Sequence, residues 1–408
     1  MTIPEPTIGL RATAAESTSV QATFVLLYAE TMLGRSNDEG VSVAGLLAAA
    51  PDGAADDRIG RIQQTERRLL GDRYQKAQRV SRRSVGRLPL GDLMDGEVVA
   101  DVYRVTHVSG AAAWEVWLTS QEQPFRVQAW IDRLSLTLDD SLAAWFWRTF
   151  NGASREVDDR SLEAPESYLP LSILRAPGRD LPAVLAEAGT DLVRLVHLDA
   201  SKEPFKPSFV AHELAQDFCL REGGLSLLSP RGALDLHCGL AYEEVAALPL
   251  LISLELLALE RATLRRFHEQ LTGERTKQLD ELLQLKRDVA DGLEEYYGSL
   301  AIGNAFSAQT MALGQSLLGI DDLYRSVISR LDMVTFGITT RLERQSSQVS
   351  LWLAVVFGAI GNGFLAASIS SWYYADASAL GTVIAWTIGV TLITAVLIAA
   401  LLRVVTRE

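Results

Sequence analysis

The sequence predicts an α+β cytoplasmic domain, followed by long helices and a C-terminal two-span transmembrane helical hairpin. Three observations favour this fold class. The C-terminal part of the chain holds two long uncharged apolar segments. A row of apolar residues with a 3.5-residue period precedes them, and short apolar runs rich in β-forming residues occur through the first 240 residues.

The two apolar segments are Leu351–Trp372 and Leu380–Leu402. Each exceeds the roughly 20 apolar residues with which a helix crosses the hydrocarbon core of a bilayer. Asp376, in the turn between them, is the only charged side chain within Gln345–Leu402. We therefore expect two transmembrane helices within residues 350–403, joined by a short turn.

Basic residues flank the hairpin on one side only. Arg341 and Arg344 precede the first apolar segment, Arg403 and Arg407 follow the second, and the turn contains no Lys or Arg. Because positively charged residues stay on the cytoplasmic side of a membrane, both termini are expected there. Residues 404–408 would form a cytoplasmic tail.

The N-terminal region divides into a polar, flexible tail over residues 1–19 and a mixed α/β cytoplasmic domain over residues 20–240. Alternation and short apolar runs predict the strands, and helical periodicity predicts the helices. Strands are expected at Gln21–Ala29, Glu97–Val108, Ala113–Thr119, Phe125–Leu138 (one or two strands), Leu192–Leu198, Leu225–Leu228 and Ala233–His237, and short helices at Val41–Ala50 and Ser141–Phe150.

Residues 241–300 are predicted to form an antiparallel helix pair, Glu243–His268 and Glu274–Tyr297. A long stalk helix follows over residues 305–349 and is expected to continue into the first span as one helix. Its apolar row alternates steps of four and three residues, which is typical of helices that pack in bundles with partner helices. The row comprises Leu313, Leu317, Ile320, Tyr324, Val327, Leu331, Val334 and Ile338.

Composition narrows the function classes. The net charge of −13 argues against a nucleic-acid partner, and two cysteines suit a reducing compartment. No phosphate-binding loop, HExxH or CxxC motif is present, so the chain is not expected to be an enzyme. His212–Glu213, His237–Cys238 and Asp199 lack the spacing of metal ligands, which leaves a metal site unassigned.

The stretch Arg58–Arg87 is strongly basic although the chain as a whole is acidic. Its spacing suits a basic helix broken near Gly71 or Ser81. One interpretation is a site for a phosphorylated ligand, for anionic lipid headgroups or for nucleic acid. Another is a solvated helix that pairs with acidic neighbours in an oligomer. The residues predicted for an anion or ligand site are Arg73, Lys76, Arg79, Arg82 and Arg83.

Asn362 is the only strongly polar side chain near the middle of the first span. It lies among three glycines, and a serine follows further along the helix. An amide in hydrocarbon requires either an interhelical hydrogen bond or a watery lumen, so pore lining and helix packing both remain open. The candidate pore-lining residues are Asn362, Gly358, Gly361, Gly363 and Ser368.

Over about Tyr242–Glu408, this arrangement resembles the CorA-type divalent-cation transporter family. Shared features are the helix pair, the long helix entering the first span, the short turn and the basic tail. The resemblance implies a pentamer whose first spans line a pore, with magnesium as the usual cargo. The family's Gly-Met-Asn signature is absent, and the corresponding place ends at Asp376, which we infer attracts cations at the outer mouth.

These observations predict a homo-oligomeric protein of a bacterial inner membrane that conducts cations under the control of its cytoplasmic domain. No cofactor is expected, although magnesium or another divalent cation would act as cargo or regulator. One alternative is a membrane-tethered effector of bacterial defence that responds to a nucleotide-type signal. Another is a scaffold that does not conduct.

Overall fold

The structure is a computed structural model. It describes residues 21–31, 54–76, 80–90, 98–120, 127–154, 165–201, 203–239, 246–272, 281, 283–284, 286–291, 305–373 and 380–405. The chain forms two compact units. We call Met1–Thr276 with Gln284–Arg330 the sheet unit, and Lys277–Leu283 with Leu331–Glu408 the apolar-helix unit.

A seven-stranded sheet, in the order β2-β3-β4-β1-β5-β7-β6, forms the centre of the sheet unit. All neighbouring strands are antiparallel except β5 and β7, which run parallel. The strands are β1 (Gln21–Thr31), β2 (Val80–Pro89), β3 (Val98–His107), β4 (Ala111–Ser120), β5 (Ser167–Ala176), β6 (Gly224–Leu228) and β7 (Ala233–Cys238).

The described helices of the sheet unit cover both faces of this sheet. They are α1 (Ala54–Lys76), α2 (Val127–Leu134), α3 (Leu142–Ser154), α4 (Leu181–His197), α5 (Pro207–Leu214), α6 (Leu248–Thr272) and α7 (Ala305–Leu317). Helices α2, α3 and α4 share the larger core cluster with Phe24, Leu26 and Tyr28 of β1. Ala29 packs on the opposite face with Ala258 of α6, because successive side chains of a strand point to opposite faces.

The strand predicted at Gln21–Ala29 is confirmed as β1, the central strand of the sheet. Every residue from Phe24 to Ala29 is fully buried, since β1 has a strand on each side and helices on both faces. Such a strand appears in sequence as a continuous apolar run. Four other predicted strands are confirmed as β3, β4, β6 and β7, as is the helix predicted at Ser141–Phe150. In the structure β3 pairs with β4 and β6 with β7, each antiparallel.

Two strand predictions are wrong. The segment Phe125–Leu138 contains α2, which buries Val127, Trp130, Ile131 and Leu134 at helical spacing. The run Leu192–Leu198 belongs to the end of α4, where Val184, Ala188 and Leu192 continue one buried face. These predictions failed because a short apolar run does not distinguish a buried strand from a buried helical turn. In addition, the sequence did not predict strand β5.

The basic stretch is not one broken helix. It forms α1 up to Lys76 and then the edge strand β2 from Val80. Pairing with β3 decides this conformation, because Val80–Pro89 forms an antiparallel ladder with Val99–His107. The predicted helix at Val41–Ala50 and the tail at residues 1–19 lie outside the described residues.

The stalk predicted over residues 305–349 consists of two helices. Helix α7 ends at Leu317, and α8 (Ile320–Tyr373) begins after Gly319, whose φ of +66° lies in the left-handed region. From Ile320 onward, the stalk and the first apolar segment form one helix, as predicted. Ile320, Val327, Val334 and Ile338 of the predicted apolar row are buried, while its other members are partly buried.

The second apolar segment forms α9 (Leu380–Val405). Of the second helix predicted for the antiparallel pair, residues 281, 283–284 and 286–291 are described and helical. The first helix of that pair is α6, which packs against the sheet and against α7.

Gly314 permits the close contact between α7 and α6. A Cβ at this position would overlap the side chain of Leu257, which is fully buried. We expect Gly314→Val to lower the free energy of unfolding of the sheet unit by about 1–3 kcal/mol, because Leu257 has no space into which to move. Urea titration of the detergent-solubilised chain, followed by pulse proteolysis of the sheet unit, measures the change.

Gly337→Val is the matched control, since a Cβ on Gly337 of α8 meets nothing within 4 Å. This control should leave the proteolysis midpoint of the sheet unit unchanged. Equal midpoints for the two variants would contradict the close packing at Gly314.

Candidate functional site

Helix α8 carries a long apolar surface that the described chain does not cover. An 18-residue window within Ile320–Ile369 has a mean hydropathy of 1.8, and 17% of that window is buried. The side chains of Phe357 and Phe364 are 68% and 72% exposed. Among the described residues, this is the one helix long and apolar enough to cross a membrane.

Helix α9 is also apolar, and its described apolar part, Gly381–Leu397, is shorter than a full span. Its side chains Trp386, Leu392 and Val396 are more than half exposed. A water-soluble surface seldom exposes so many large apolar groups together, so these helices require an apolar environment or partner helices.

Among the candidate pore-lining residues, Gly363 faces α9, as the helix-packing interpretation expects. A Cβ on Gly363 would overlap Thr391 of α9, whose hydroxyl donates to the carbonyl oxygen of Thr387 at 2.7 Å. Val355 and Ala359 are buried at spacings of four residues along the same face of α8. This glycine therefore allows α8 and α9 to approach closely.

The contact with α9 does not bury the other four candidates in α8. At about 100° per residue, Asn362, Gly358, Gly361 and Ser368 occupy an arc of roughly 120°. Asn362, Gly361 and Ser368 are exposed and Gly358 is partly exposed. The Ser368 hydroxyl donates to the Phe364 carbonyl oxygen at 2.9 Å. Asp376, the predicted outer-mouth residue, lies outside the described residues.

The described residues among the five predicted to bind an anion belong to two different elements. Arg73 and Lys76 belong to α1, and Arg79 lies outside the described residues. Arg82 and Arg83 are neighbours on β2 and therefore point to opposite faces of the sheet. Arg83 is exposed, whereas the side chain of Arg82 is only 1% exposed.

Arg82 lies at the centre of a buried charge cluster, so its predicted role in an accessible anion site is wrong. Its guanidinium donates to Glu66 of α1 at 3.0 Å, to Glu115 of β4 at 3.0 Å and to both carboxylate oxygens of Glu255 of α6. These contacts join two helices and two strands on one face of the sheet. With three protein carboxylates around it, the guanidinium is not available to an external anion.

One guanidinium cannot neutralise three carboxylates. Burial raises the pKa of Glu66 above its ordinary value, and it raises the pKa of Glu255 further, although attraction to Arg82 opposes both shifts. Burial alone would lower the pKa of Arg82, but the three carboxylates raise it well above its usual value. The cluster therefore keeps the arginine charged and favours retention of a proton on a carboxyl group.

The histidines and acids considered as metal ligands bind one another or nearby polar groups. His197 contacts Glu213 at 2.8 Å, His237 contacts Asp235 at 2.9 Å, and Asp199 accepts from Ser201. Within the part of the chain that the structure describes, no group of three or more His, Cys, Asp or Glu side chains is placed to hold a metal ion.

Sequence analysis missed a pocket of about 170 Å³ at the edge of the sheet. The loop before β6, the β6–β7 hairpin and the starts of α6 and α7 surround it, and its lining includes Cys219, Ser226, Asp235, His237, Pro249 and Phe306. Asp235 and His237 alternate along β7, so both side chains reach the same face. The alternation of Asp235 and His237 was visible in the sequence, but the position of Cys219 in the same pocket was not.

Loss of Arg82 should be far more costly than loss of its neighbour Arg83. Arg82→Leu leaves three buried carboxylates without a counter-ion, and we expect a loss of about 3–5 kcal/mol in the free energy of unfolding. Arg83→Leu, at an exposed position of the same strand, should change it by less than about 0.5 kcal/mol. Urea titration with pulse proteolysis compares the two, and similar costs would contradict the structural role of Arg82.

The raised pKa of Glu66 predicts a pH dependence of stability. The folded state binds this proton more tightly than the unfolded state, so the contribution is fully present below the ordinary glutamate pKa and is lost as pH rises through the folded value. Glu66→Gln should therefore weaken the decline in stability of the sheet unit as pH rises above the ordinary glutamate pKa. Pulse proteolysis at several pH values measures the slope.

Asp101→Asn is the control with the opposite sign. Hydrogen bonds from Arg87 and Arg58 outweigh burial and lower the pKa of Asp101, so its contribution is lost at acidic pH. This variant should lower stability at neutral pH and weaken the loss of stability on the acid side, while leaving the slope at higher pH unchanged. A Glu66→Gln curve parallel to that of the parent chain would contradict the proposed proton retention.

Comparison of this chain with protein-family models, curated proteins and solved structures found no match.

Proposed function

We propose that this chain is a homo-oligomeric membrane protein that conducts cations, with α8 and α9 as two transmembrane helices and the sheet unit in the cytoplasm. The observation that carries the proposal is the continuity of α8. One helix of 54 residues contains both the buried stalk positions and an apolar segment whose large side chains remain exposed. A helix built in this way suits transmission of movement into a membrane.

The exposed part of α8 supports an oligomer. Residues 341–350 are exposed at every position, and the apolar residues that follow remain exposed on the side away from α9. Copies of α8 around an axis would cover this side, and a ring is the closed form that identical subunits can take. The CorA-like arrangement favours five copies.

Asn362 gives the arc that it forms with Gly358, Gly361 and Ser368 its only amide in the middle of the apolar segment. In a ring of α8 helices, this arc would face the axis, where Asn362, Gly358, Gly361 and Ser368 would present oxygen atoms to a passing cation. Carbonyl, amide and hydroxyl oxygens are suitable ligands for divalent cations, which are cargo in this proposal. Gly363 has no part in this path because it packs on α9.

The burial of Arg82 reduces support for the alternative in which the basic stretch binds a nucleotide-type signal. Arg61, Arg67 and Arg68 of α1 remain exposed, so attraction of anionic groups to that surface is still compatible with the structure. No arrangement of described residues favours this effector function over conduction.

Asn362→Leu should lower magnesium flux by about tenfold or more without changing the number of subunits, because it removes the amide from the path. The full chain in liposomes loaded with a magnesium-sensitive dye measures flux, and mass photometry in detergent counts subunits. Ile360→Leu on the same helix is the control and should change neither quantity.

Three results would contradict the proposal. Unchanged flux in Asn362→Leu would remove the pore role of Asn362, and a smaller subunit count would assign this residue to helix packing. A parent chain that transports no magnesium, manganese or sodium ions would favour the non-conducting scaffold.

A further inference from the structure

The pocket at the edge of the sheet groups a thiol, an imidazole and a carboxylate. Cys219 is partly exposed, whereas the side chains of His237 and Asp235 are 11% and 4% exposed. The pocket volume of about 170 Å³ is below the roughly 300–1,000 Å³ of typical ligand pockets. A reagent that enters must therefore be small.

Asp235 orients the imidazole. Its carboxylate is 2.9 Å from Nε2 of His237 and accepts a hydrogen bond from the Ser226 hydroxyl at 2.8 Å. With Nε2 directed at the carboxylate, the other ring nitrogen, Nδ1, lies on the side of Gly224 and Cys219. A carboxylate in this position selects the tautomer and stabilises the imidazolium that forms when the ring gains a proton.

Gly224 makes room for the thiol beside this imidazole. A Cβ on Gly224 would lie 2.5 Å from Sγ of Cys219 and 3.6 Å from Nδ1 of His237, so both atoms border one small space. In the structure the thiol donates to the Arg221 carbonyl oxygen at 3.8 Å, so it must rotate to give its proton to His237. Gly224 is not among the residues with positive φ. The reason for glycine here is therefore the space occupied by the thiol and not the backbone conformation.

We propose that Cys219, His237 and Asp235 form a reactive-thiol site that is oxidised by small hydroperoxides. His237 takes the thiol proton, Asp235 stabilises the resulting imidazolium, and the thiolate is the nucleophile. This inference does not depend on the proposed conduction of cations.

The reaction follows from the arrangement. The thiolate sulfur attacks the terminal oxygen of the hydroperoxide, an S–O bond forms and the O–O bond breaks. The leaving alkoxide or hydroxide takes the proton held by His237 and departs as an alcohol or water. Sulfur loses two electrons to the peroxide, and Cys219 becomes a sulfenic acid.

The hydrogen bonds around the thiol favour this reaction over acyl transfer. An acyl-transfer site needs backbone N–H groups that can bind an oxyanion. Around Cys219, its own amide and that of Ser226 both donate to Oδ1 of Asp217, at 2.8 and 2.9 Å, and the Gly224 amide donates to the Arg221 carbonyl oxygen. These amides are engaged by the protein.

Cys238 provides an internal reference. It follows His237 on β7, so its side chain points to the opposite face and packs against the larger core cluster. Burial, followed in size by repulsion from Asp180, raises the pKa of its thiol. We therefore expect Cys238 to react slowly, and its position on the other face prevents a disulfide with Cys219.

The test uses the full chain in detergent, exposed briefly to hydrogen peroxide and trapped with dimedone. Peptide mass spectrometry should place the adduct on Cys219, with Cys238 at least about tenfold slower. His237→Gln should lower the rate at Cys219 by a similar factor, and Cys238→Ser should leave it unchanged. Equal rates at the two cysteines, or no effect of His237→Gln, would overturn the proposal.

A second measurement needs no variant and therefore does not depend on whether His237→Gln folds. Iodoacetamide alkylation of the parent chain at neutral pH is followed at both cysteines by peptide mass spectrometry. Cys219 should be alkylated at least about tenfold faster than Cys238. Equal rates would show that His237 does not activate the thiol.

Discussion

The apolar side chains that α8 and α9 present to their surroundings constrain the whole protein. A helix satisfies its own backbone hydrogen bonds, so it can enter hydrocarbon at little cost, while its large exposed side chains are unfavourable in water. The close α8–α9 contact at Gly363 buries only one face of α8. The remaining faces leave large apolar side chains exposed among the described residues, and the function that we propose follows from this exposure.

The sequence was sufficient to predict elements whose hydrophobic pattern fits only one type of secondary structure. β1 is buried on both faces, and its continuous apolar run identifies it. The predictions failed where local pattern and tertiary pairing disagree: Leu192–Leu198 is apolar enough for a strand but completes the buried face of α4, and the second half of the basic stretch pairs with β3. The periodicity of such a segment does not show which other element of the fold packs beside it.

The candidate sites show the same limit. Positive charge along Arg58–Arg87 was clear in the sequence, yet the partners of Arg82 come from positions 66, 115 and 255. Residues so distant in sequence meet only after the sheet and α6 have assembled. The thiol pocket was missed for a similar reason, because Cys219 meets Asp235 and His237 only through the β6–β7 hairpin.

The edge strand β2 limits how copies of this protein can join. An uncovered edge offers free backbone groups to another chain, and natural sheets often protect such edges with charged side chains. In β2, Arg83 lies opposite Arg104 of β3, and Arg87 is also partly exposed. Pairing two copies through this edge would bring like charges together, so edge-to-edge pairing of the sheets is unfavourable.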